Sequence, residues 1–402
     1  MAVEVYILDA LRTPIGKYGG SLKNVRPDDM ASLLIKECVK RNFDSRGIPA
    51  EEIEDVIIGN ANGAGEENRN IGRMCVLLAD LPLNTGGVTV NRLCGSGMQA
   101  LIDAARAIRN NEGDCYIAGG VESMTRAPFV MSKAPEAFGR KVEIYDTTIG
   151  WRFTNPVLAK KHYPFSMGET AENVAEKYRI TRERQDEFAF NSQMKTKRAY
   201  EKRKFKNEII PVEITKGKET VIFDTDEFPK YDSTLERLSK LKPAFREGGT
   251  VTAGNSSGIN DGASLLMIVS ENFIKKHNVK PRARFVASAA EGVDPSLMGL
   301  GPVPATKKAL KRAGLKIKDI GLIELNEAFA SQSIVCMESL DLNPEIVNVN
   351  GGAIALGHPL GSSGSRLIVT LLNEMEKQKK KYGLATMCIG VGQGITGIIE
   401  LV

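Results

Sequence analysis

Three side chains of this 402-residue sequence belong to types that do covalent and proton-transfer chemistry, and each sits in or beside a glycine-rich turn. Cys94 lies in "VNRLCGSGMQALIDAARAI", His358 in "NGGAIALGHPLG" and Cys388 in "CIGVGQG". A thiol attacks as its thiolate, and the unpaired N–H groups and positive dipole end of an opening helix favour that form. The run after Cys94 is expected to be such a helix, with Leu101, Ile102, Ala105 and Ile108 on one face. Gly95 and Gly97 let backbone N–H groups approach an acyl oxygen closely. A nearby imidazole takes the thiol proton and later polarises a carbonyl. One cysteine before a glycine turn is structural as often as it is reactive, so the assignment rests on the three motifs together.

An internal repeat supplies the elements that could bring them together. "VEVYILDALRTP" is matched by "RARFVASAAEGVDP", and "EDVIIGNANGAG" by "KDIGLIELNEAFAS". "GVTVNRLCGSG" is matched by "EIVNVNGGAIALGHPLGSSG", and "GDCYIAGGVESM" by "YGLATMCIGVGQG". The order is the same in both halves, at an offset of about 260 to 280 residues. Each half alternates apolar strands with amphipathic helices, a pattern that predicts mostly parallel sheets covered by helices. Two such halves packed as a pseudo-dimer bury a helix from each between the sheets. In that arrangement Cys94 and His358 occupy equivalent turns, and Cys388 ends the last strand of the second half.

Between the last strand of the first half and about residue 250 the chain has no counterpart in the second half. This excursion is richer in charge and holds the helical runs "MGETAENVAEKYRI" and "TRERQDEFAFNSQM". "GTVTAGNSSGINDGASLLMIVS" then returns to the core as an apolar strand. Excursions of this kind carry ligand-binding loops on a rigid scaffold.

Composition excludes several classes. With 42% hydrophobic and 26% charged residues the chain reads as a soluble globular protein of two or three packed units. No stretch approaches the roughly 20 apolar residues of a membrane span. "MAVEVYILDALRTPIG" enters a strand almost at once and "GIIELV" carries no address signal, so the cytoplasm is the expected compartment. The net charge of +5 is mild, and the basic run "KTKRAYEKRKFK" has no aromatic or groove-reading company, so it reads as a solvated helix face and no nucleic acid is expected. The six cysteines (Cys38, Cys75, Cys94, Cys115, Cys336, Cys388) show no C-x-x-C spacing and there are only three histidines, which argues against a metal site. The glycines of "CIGVGQG" do not make a dinucleotide site, since only eight residues follow Gly394 and no crossover helix can form. Asn326 in "LNEAFA" reads either as a helix N-cap or as an amide holding a water against an oxyanion.

"NRLCGSGMQA", "NEAFA", "NVNGGAIALGHPLGSSG" and "CIGVGQG", in this order and spacing, resemble the thiolase family, and the likeness runs from "RTPIGKYGG" to the last strand. The resemblance implies the thiolase fold: two repeated α/β halves in a five-layer α/β/α/β/α arrangement with an inserted loop domain. The division is then an N-terminal half over 1–120 completed by 250–275, a CoA-binding loop domain over 121–249, and a C-terminal half over 276–402. Carried over by motif, Cys94 is the acyl-accepting nucleophile, His358 its base, and Cys388 the acid/base at the α-carbon of acetyl-CoA. Asn326 holds a water that forms one oxyanion hole with His358. The N–H groups of Cys94 and Gly390 form the other. Ser257, with Ala253 and Gly254 beside it, meets the pantetheine arm. Phe245, Met298, Phe329 and Met167 make apolar contacts near the thioester, and Lys230 and Arg237 fall at the nucleotide end. Acetyl-CoA, 3-oxoacyl-CoA and CoA are the implied substrates, with no prosthetic group and no metal, and a homodimer paired into a homotetramer is the implied assembly.

Departures bear on the subtype. "CIGVGQG" stands where many biosynthetic acetoacetyl-CoA thiolases have three consecutive glycines, and "FSMG" lacks the histidine that type places beside the methionine. "GEENRNIGRM", "VESMTRAPFVM" and "YDTTIGWRFTNP" resemble the 3-oxoadipyl-CoA branch and its degradative neighbours. The expectation is therefore a degradative 3-oxoacyl-CoA thiolase of fatty-acid β-oxidation, with acetoacetyl-CoA-forming and 3-oxoadipyl-CoA thiolases as alternatives. A carboxylated tail would need a basic partner, and Arg126, Arg152 and Lys133 are available, each reading singly as surface charge. A decarboxylating condensing enzyme would use one cysteine and two histidines, whereas His162 and His277 lie outside the repeat motifs and Cys388 holds the second position. A non-catalytic acyl-CoA-binding member would be expected to lack one of the three reactive side chains.

Overall fold

The computed structural model describes residues 3–402. The first half runs β1 (Val5–Arg12), α1 (Pro27–Asn42), β2 (Asp55–Gly59), α2 (Ile71–Leu78), β3 (Gly86–Val90), α3 (Ser96–Arg109) and β4 (Cys115–Ser123). The excursion follows, with α4 (Met167–Tyr178) and α5 (Arg182–Glu201), and the chain returns on β5 (Asn260–Ser270). The second half runs β6 (Ala283–Gly292), α6 (Pro302–Ala313), β7 (Leu322–Leu325), α7 (Ala330–Ser339), α8 (Leu360–Gln378), β8 (Tyr382–Ile389) and β9 (Gln393–Leu401).

The strands order as β3-β2-β4-β5-β1 in one half and β6-β9-β8-β7 in the other. A short antiparallel seam, Tyr6 with Arg284 and Ile7 with Ala283, joins the two into one continuous sheet. The repeat is visible strand for strand. The counterpart of β3 is reduced to a single parallel bridge between Ile323 and Val347. The expectation of mostly parallel sheets is corrected, because only β2/β3, β2/β4 and β7/β8 pair parallel among the core strands. β1/β5, β5/β4, β6/β9 and β8/β9 are antiparallel. In the second half the physical reason is local: β9 follows β8 through a tight turn at Gly390–Gly392, with Val391 and Gly392 at φ 63° and 78°, and no crossover helix intervenes. In the first half β5 returns from the excursion to pair antiparallel with both β1 and β4. Cys388 is therefore on the penultimate strand, not the last.

Alternation along β5 shows the layering. Ala263, Leu265, Met267 and Val269 face an outer core with α1 and α2, while Leu266 and Ile268 face an inner core with α3 and α8. Leu101, Ile102, Ala105 and Ile108 of α3 lie in that inner core as their spacing requires. The second half closes the stack with Ala309 and Leu310 of α6 and Cys336 of α7 against Leu384 and Ile398 of its strands. Outer helices, sheet, inner helices, sheet and outer helices thus stack as the five-layer α/β/α/β/α arrangement. Every residue of α8 from Gly361 to Met375 is buried, as a helix clamped between two sheets must be.

Helices α3 and α8 approach closely near their N-termini. A Cβ on Gly97 would lie 2.5 Å from Ser365 Oγ and 2.7 Å from the Gly361 carbonyl, and one on Gly364 would lie 2.5 Å from the Met98 amide nitrogen. Glycine is required at both positions by this contact, which brings the two helix openings side by side.

Candidate active site

Cys94 and His358 each lie two residues ahead of an inner helix, α3 and α8 respectively. The Cys94 turn is held in a left-handed kink at Leu93, φ 48°, an uncommon state for a large side chain. Ser96 Oγ secures it, donating to the Leu93 carbonyl at 2.6 Å and accepting the Arg92 N–H at 2.9 Å. Arg92 crosses to the second half and donates to Gln393 Oε1 at 2.9 Å. The His358 turn is pinned by β5, where Asn260 Oδ1 accepts the His358 N–H at 3.0 Å.

The imidazole is oriented by a short chain of hydrogen bonds. Ser363 Oγ donates its proton to the Pro359 carbonyl at 2.9 Å, so it must accept from His358 Nδ1, 2.6 Å away. That places the ring proton on Nδ1 and leaves Nε2 with its lone pair, 3.4 Å from Asn326 Nδ2. Burial and the nearby Arg366 charge push His358 down to about 3, so the ring is neutral at physiological pH. Asn326 is fully buried, and its Oδ1 has no hydrogen-bond partner among the described residues. It is not a helix N-cap, since that position before α7 belongs to Phe329.

The N–H groups of Gly390 and of Cys94 itself point at the Cys94 sulfur and favour its anion, yet burial outweighs them and pushes the thiol up to about 11. The backbone N–H groups thus favour the thiolate as the helix opening suggests, while burial sets the resting thiol above its ordinary value. Burial, with the neighbouring Cys94, likewise pushes the Cys388 thiol well above its ordinary value. Glu122 anchors the opening of α8, accepting the N–H groups of Gly361 at 2.7 Å and Ala61 at 2.9 Å, and burial raises it to about 7.

Cys94, His358 and Cys388 line one cavity of about 260 Å³, together with Gly390, Ser257, Phe245, Met298, Phe329 and Met167. Ala253, Gly254, Lys230 and Arg237 lie apart from it, in a neighbouring pocket of about 270 Å³. There Arg237 is paired with Asp232, and the Lys230 ammonium stands 5.7 Å over the Phe228 ring. A second lobe of about 280 Å³ shares Cys94, Met167 and Gly390 with the first and continues past Trp151 and Arg152 to Asn62. Arg126 is engaged with Glu66 at 2.6 Å, and Lys133 is exposed outside both lobes. Sequence reasoning missed Ser363, Asn260 and Glu122. The hydroxyl run "GSSG" after His358 was the available signal for the first; the partners of the other two lie in the turn that opens α8 and come from the packing of β4 and β5 against it.

Chemically, the cavity offers a half-buried thiol, a neutral base with a free lone pair, a second, buried thiol and two convergent N–H groups. Among the described residues no cluster of His, Cys, Asp and Glu suits a metal ion, and no helix is long and apolar enough to cross a membrane.

Residues 5–272 match the family model "Thiolase, N-terminal domain" and residues 279–401 the model "Thiolase, C-terminal domain". The chain is 54% identical over 99% of its length to the whole of the "3-oxoadipyl-CoA/3-oxo-5,6-dehydrosuberyl-CoA thiolase" of Escherichia coli K12. It is 52% identical, over all of both chains, to the "Beta-ketoadipyl-CoA thiolase" of Pseudomonas aeruginosa. The crystal structure of the Bacillus anthracis acetyl-CoA acetyltransferase superposes with a TM-score of 0.93 at 40% identity, covering 100% of this chain and 99% of that one.

Proposed function

The chain belongs to the thiolase family, and from that premise we propose that its substrate is 3-oxoadipyl-CoA. As a thiolase it is an acyltransferase that cleaves 3-oxoacyl-CoA with coenzyme A, giving acetyl-CoA and a shortened acyl-CoA. The observation carrying the substrate is the full-length identity of 54% and 52% to two relatives named for 3-oxoadipyl-CoA and its synonym. On this reading the shortened product is succinyl-CoA, and the straight chains of β-oxidation are secondary substrates. Six free thiols suit a reducing compartment, which supports the cytoplasm.

The residues divide the work as follows. His358 Nε2 takes the Cys94 proton as the sulfur attacks the 3-oxo carbon, and the oxygen that becomes negative is received by the N–H groups of Cys94 and Gly390. Collapse breaks the bond between the α-carbon and the 3-oxo carbon and leaves the acyl group on Cys94. The departing acetyl-CoA enolate takes a proton from Cys388, while its oxygen is held by protonated His358 and a water on Asn326. Coenzyme A then enters, gives its thiol proton to the Cys388 thiolate and attacks the acyl carbon. His358 returns the first proton to Cys94, so the cycle closes with no net proton left on the enzyme. Because burial holds both Cys94 and His358 neutral at rest, the first transfer accompanies attack instead of preceding it. Ser257, Phe245, Met298, Phe329 and Met167 border the thioester, and Lys230 and Arg237, with Ala253 and Gly254, supply the charged mouth for the nucleotide phosphates.

The test is thiolysis of 3-oxoadipyl-CoA beside short, medium and long straight-chain 3-oxoacyl-CoAs. A large preference for 3-oxoadipyl-CoA is expected. Activity spread evenly over straight chains would return the protein to β-oxidation, and activity on acetoacetyl-CoA alone would align it with the acetyl-CoA acetyltransferases.

A further inference from the structure

Two lobes open from Cys94, and the steps above use only one. The first holds His358 and Cys388, so coenzyme A and the acetyl-CoA enolate must occupy it. The lining of the second includes neither of them. The sequence of bond changes requires a branch of this kind. After the first bond breaks, the acyl group stays on Cys94 while acetyl-CoA leaves and coenzyme A arrives through the first lobe. A tail lying in that lobe would block the second half-reaction.

The second lobe carries one cationic side chain. Arg152 is half-buried on its wall and, among the described residues, forms no salt bridge, unlike Arg126 with Glu66. It is nevertheless positioned. Asn62, buried, donates through Nδ2 to the Thr147 carbonyl at 3.1 Å and to its hydroxyl at 2.9 Å. That fixes Asn62 Oδ1 as an acceptor, and it takes Arg152 Nη2 at 3.3 Å. The adjacent Trp151 is fixed in turn, its indole N–H donating to the Phe165 carbonyl at 3.0 Å. A guanidinium held by a neutral amide keeps its charge uncompensated and its remaining N–H donors free for a planar carboxylate.

We propose that Arg152 is the specificity-determining residue of the acyl lobe, receiving the terminal carboxylate of a dicarboxylic acyl tail. The inference rests on the 3-oxoadipyl-CoA reading and names how that reading is enforced. An apolar tail leaves the guanidinium unmatched, whereas the succinyl group on Cys94 ends in the complementary charge. Discrimination by an unmatched polar group is far stronger than discrimination by one methylene.

The experiment compares wild type, Arg152→Gln and Arg152→Lys on 3-oxoadipyl-CoA and on 3-oxohexanoyl-CoA, which has the same carbon chain ending in a methyl group. The ratio of the two kcat/KM values is expected to fall about 100-fold in Arg152→Gln and about 10-fold in Arg152→Lys, which keeps the charge but loses the planar fork. A ratio unchanged in both variants overturns the role of Arg152 and leaves the substrate reading standing. A wild-type ratio near or below unity overturns both. If Arg152→Gln does not fold, Arg152→Lys decides: an unchanged ratio there overturns the inference.

Discussion

The helix dipole and the desolvation of a half-buried thiol act on Cys94 in opposite senses, and their sizes decide its resting state. A helix opening contributes about 0.3–1 kcal/mol at a surface, less than the 1.36 kcal/mol of one pKa unit. Burial carries the thiol up to about 11 in spite of two N–H groups aimed at its sulfur. A thiol with a raised pKa gains thiolate tenfold per pH unit until that pKa is reached. Alkylation of Cys94 by iodoacetamide in the free enzyme is therefore expected to accelerate about tenfold per unit between pH 7 and 9, with no plateau. His358, pushed down to about 3, does not change charge in that interval and adds no step. Cys38, Cys75, Cys115 and Cys336 are buried away from the cavity, so peptide mapping assigns the label. A plateau beginning below pH 8 would mean that a thiolate–imidazolium pair already exists at rest, and that attack needs no accompanying proton transfer.

What sets the separation of Cys94 from His358 is the crossing of α3 and α8. Gly97 and Gly364 let the two backbones meet where side chains would force them apart. Gly364→Ala inserts a methyl 2.5 Å from the Met98 nitrogen, and the backbone there cannot swing aside as a flexible side chain would. The variant is expected to keep its far-UV circular dichroism but to lose about 100-fold in kcat, the usual consequence of misplacing reacting groups by about 1 Å. An unchanged kcat would show that another contact fixes the spacing. This crossing was partly legible in the sequence, because the repeat put Cys94 and His358 in matching turns and glycines are common in both. The strand directions were not. Alternating strands and helices report a period, but nothing local in "CIGVGQG" says that β9 turns straight back beside β8. Asn260 and Glu122 were equally silent, since each acts on a partner remote in sequence, and Ser363 showed only as one hydroxyl in a short run. For Cys94 the favourable N–H groups could be inferred from the motif, whereas the opposing burial belongs to the assembled layers.

At the scale of the whole molecule the two ends of the sheet differ. Beyond β7 the edge is partly covered by the Val347 bridge, whereas among the described residues β3 has a neighbour on one side only. Around β3 lie exposed apolar side chains, with Leu83 78% and Val88 40% accessible and Leu77 and Leu78 beside them on α2. An open strand edge with apolar company invites pairing with a second chain, and a twofold axis lets the same patch serve both partners. A second apolar surface projects from the excursion, where Phe129, Met131 and Ile144 are exposed on the hairpin formed by Phe129–Met131 and Ile144–Asp146. A dimer of dimers requires two separate contact surfaces, and two exposed apolar surfaces are present. Light scattering is expected to find four chains in the wild type and two in Ile144→Lys, which charges the hairpin. Val88→Lys, placing an ammonium on the strand edge, is expected to separate the pair that survives in Ile144→Lys, so that the double variant is a single chain. A wild type that runs as a single chain would leave both apolar surfaces without a partner of this kind. A double variant that still pairs would move the primary contact away from β3.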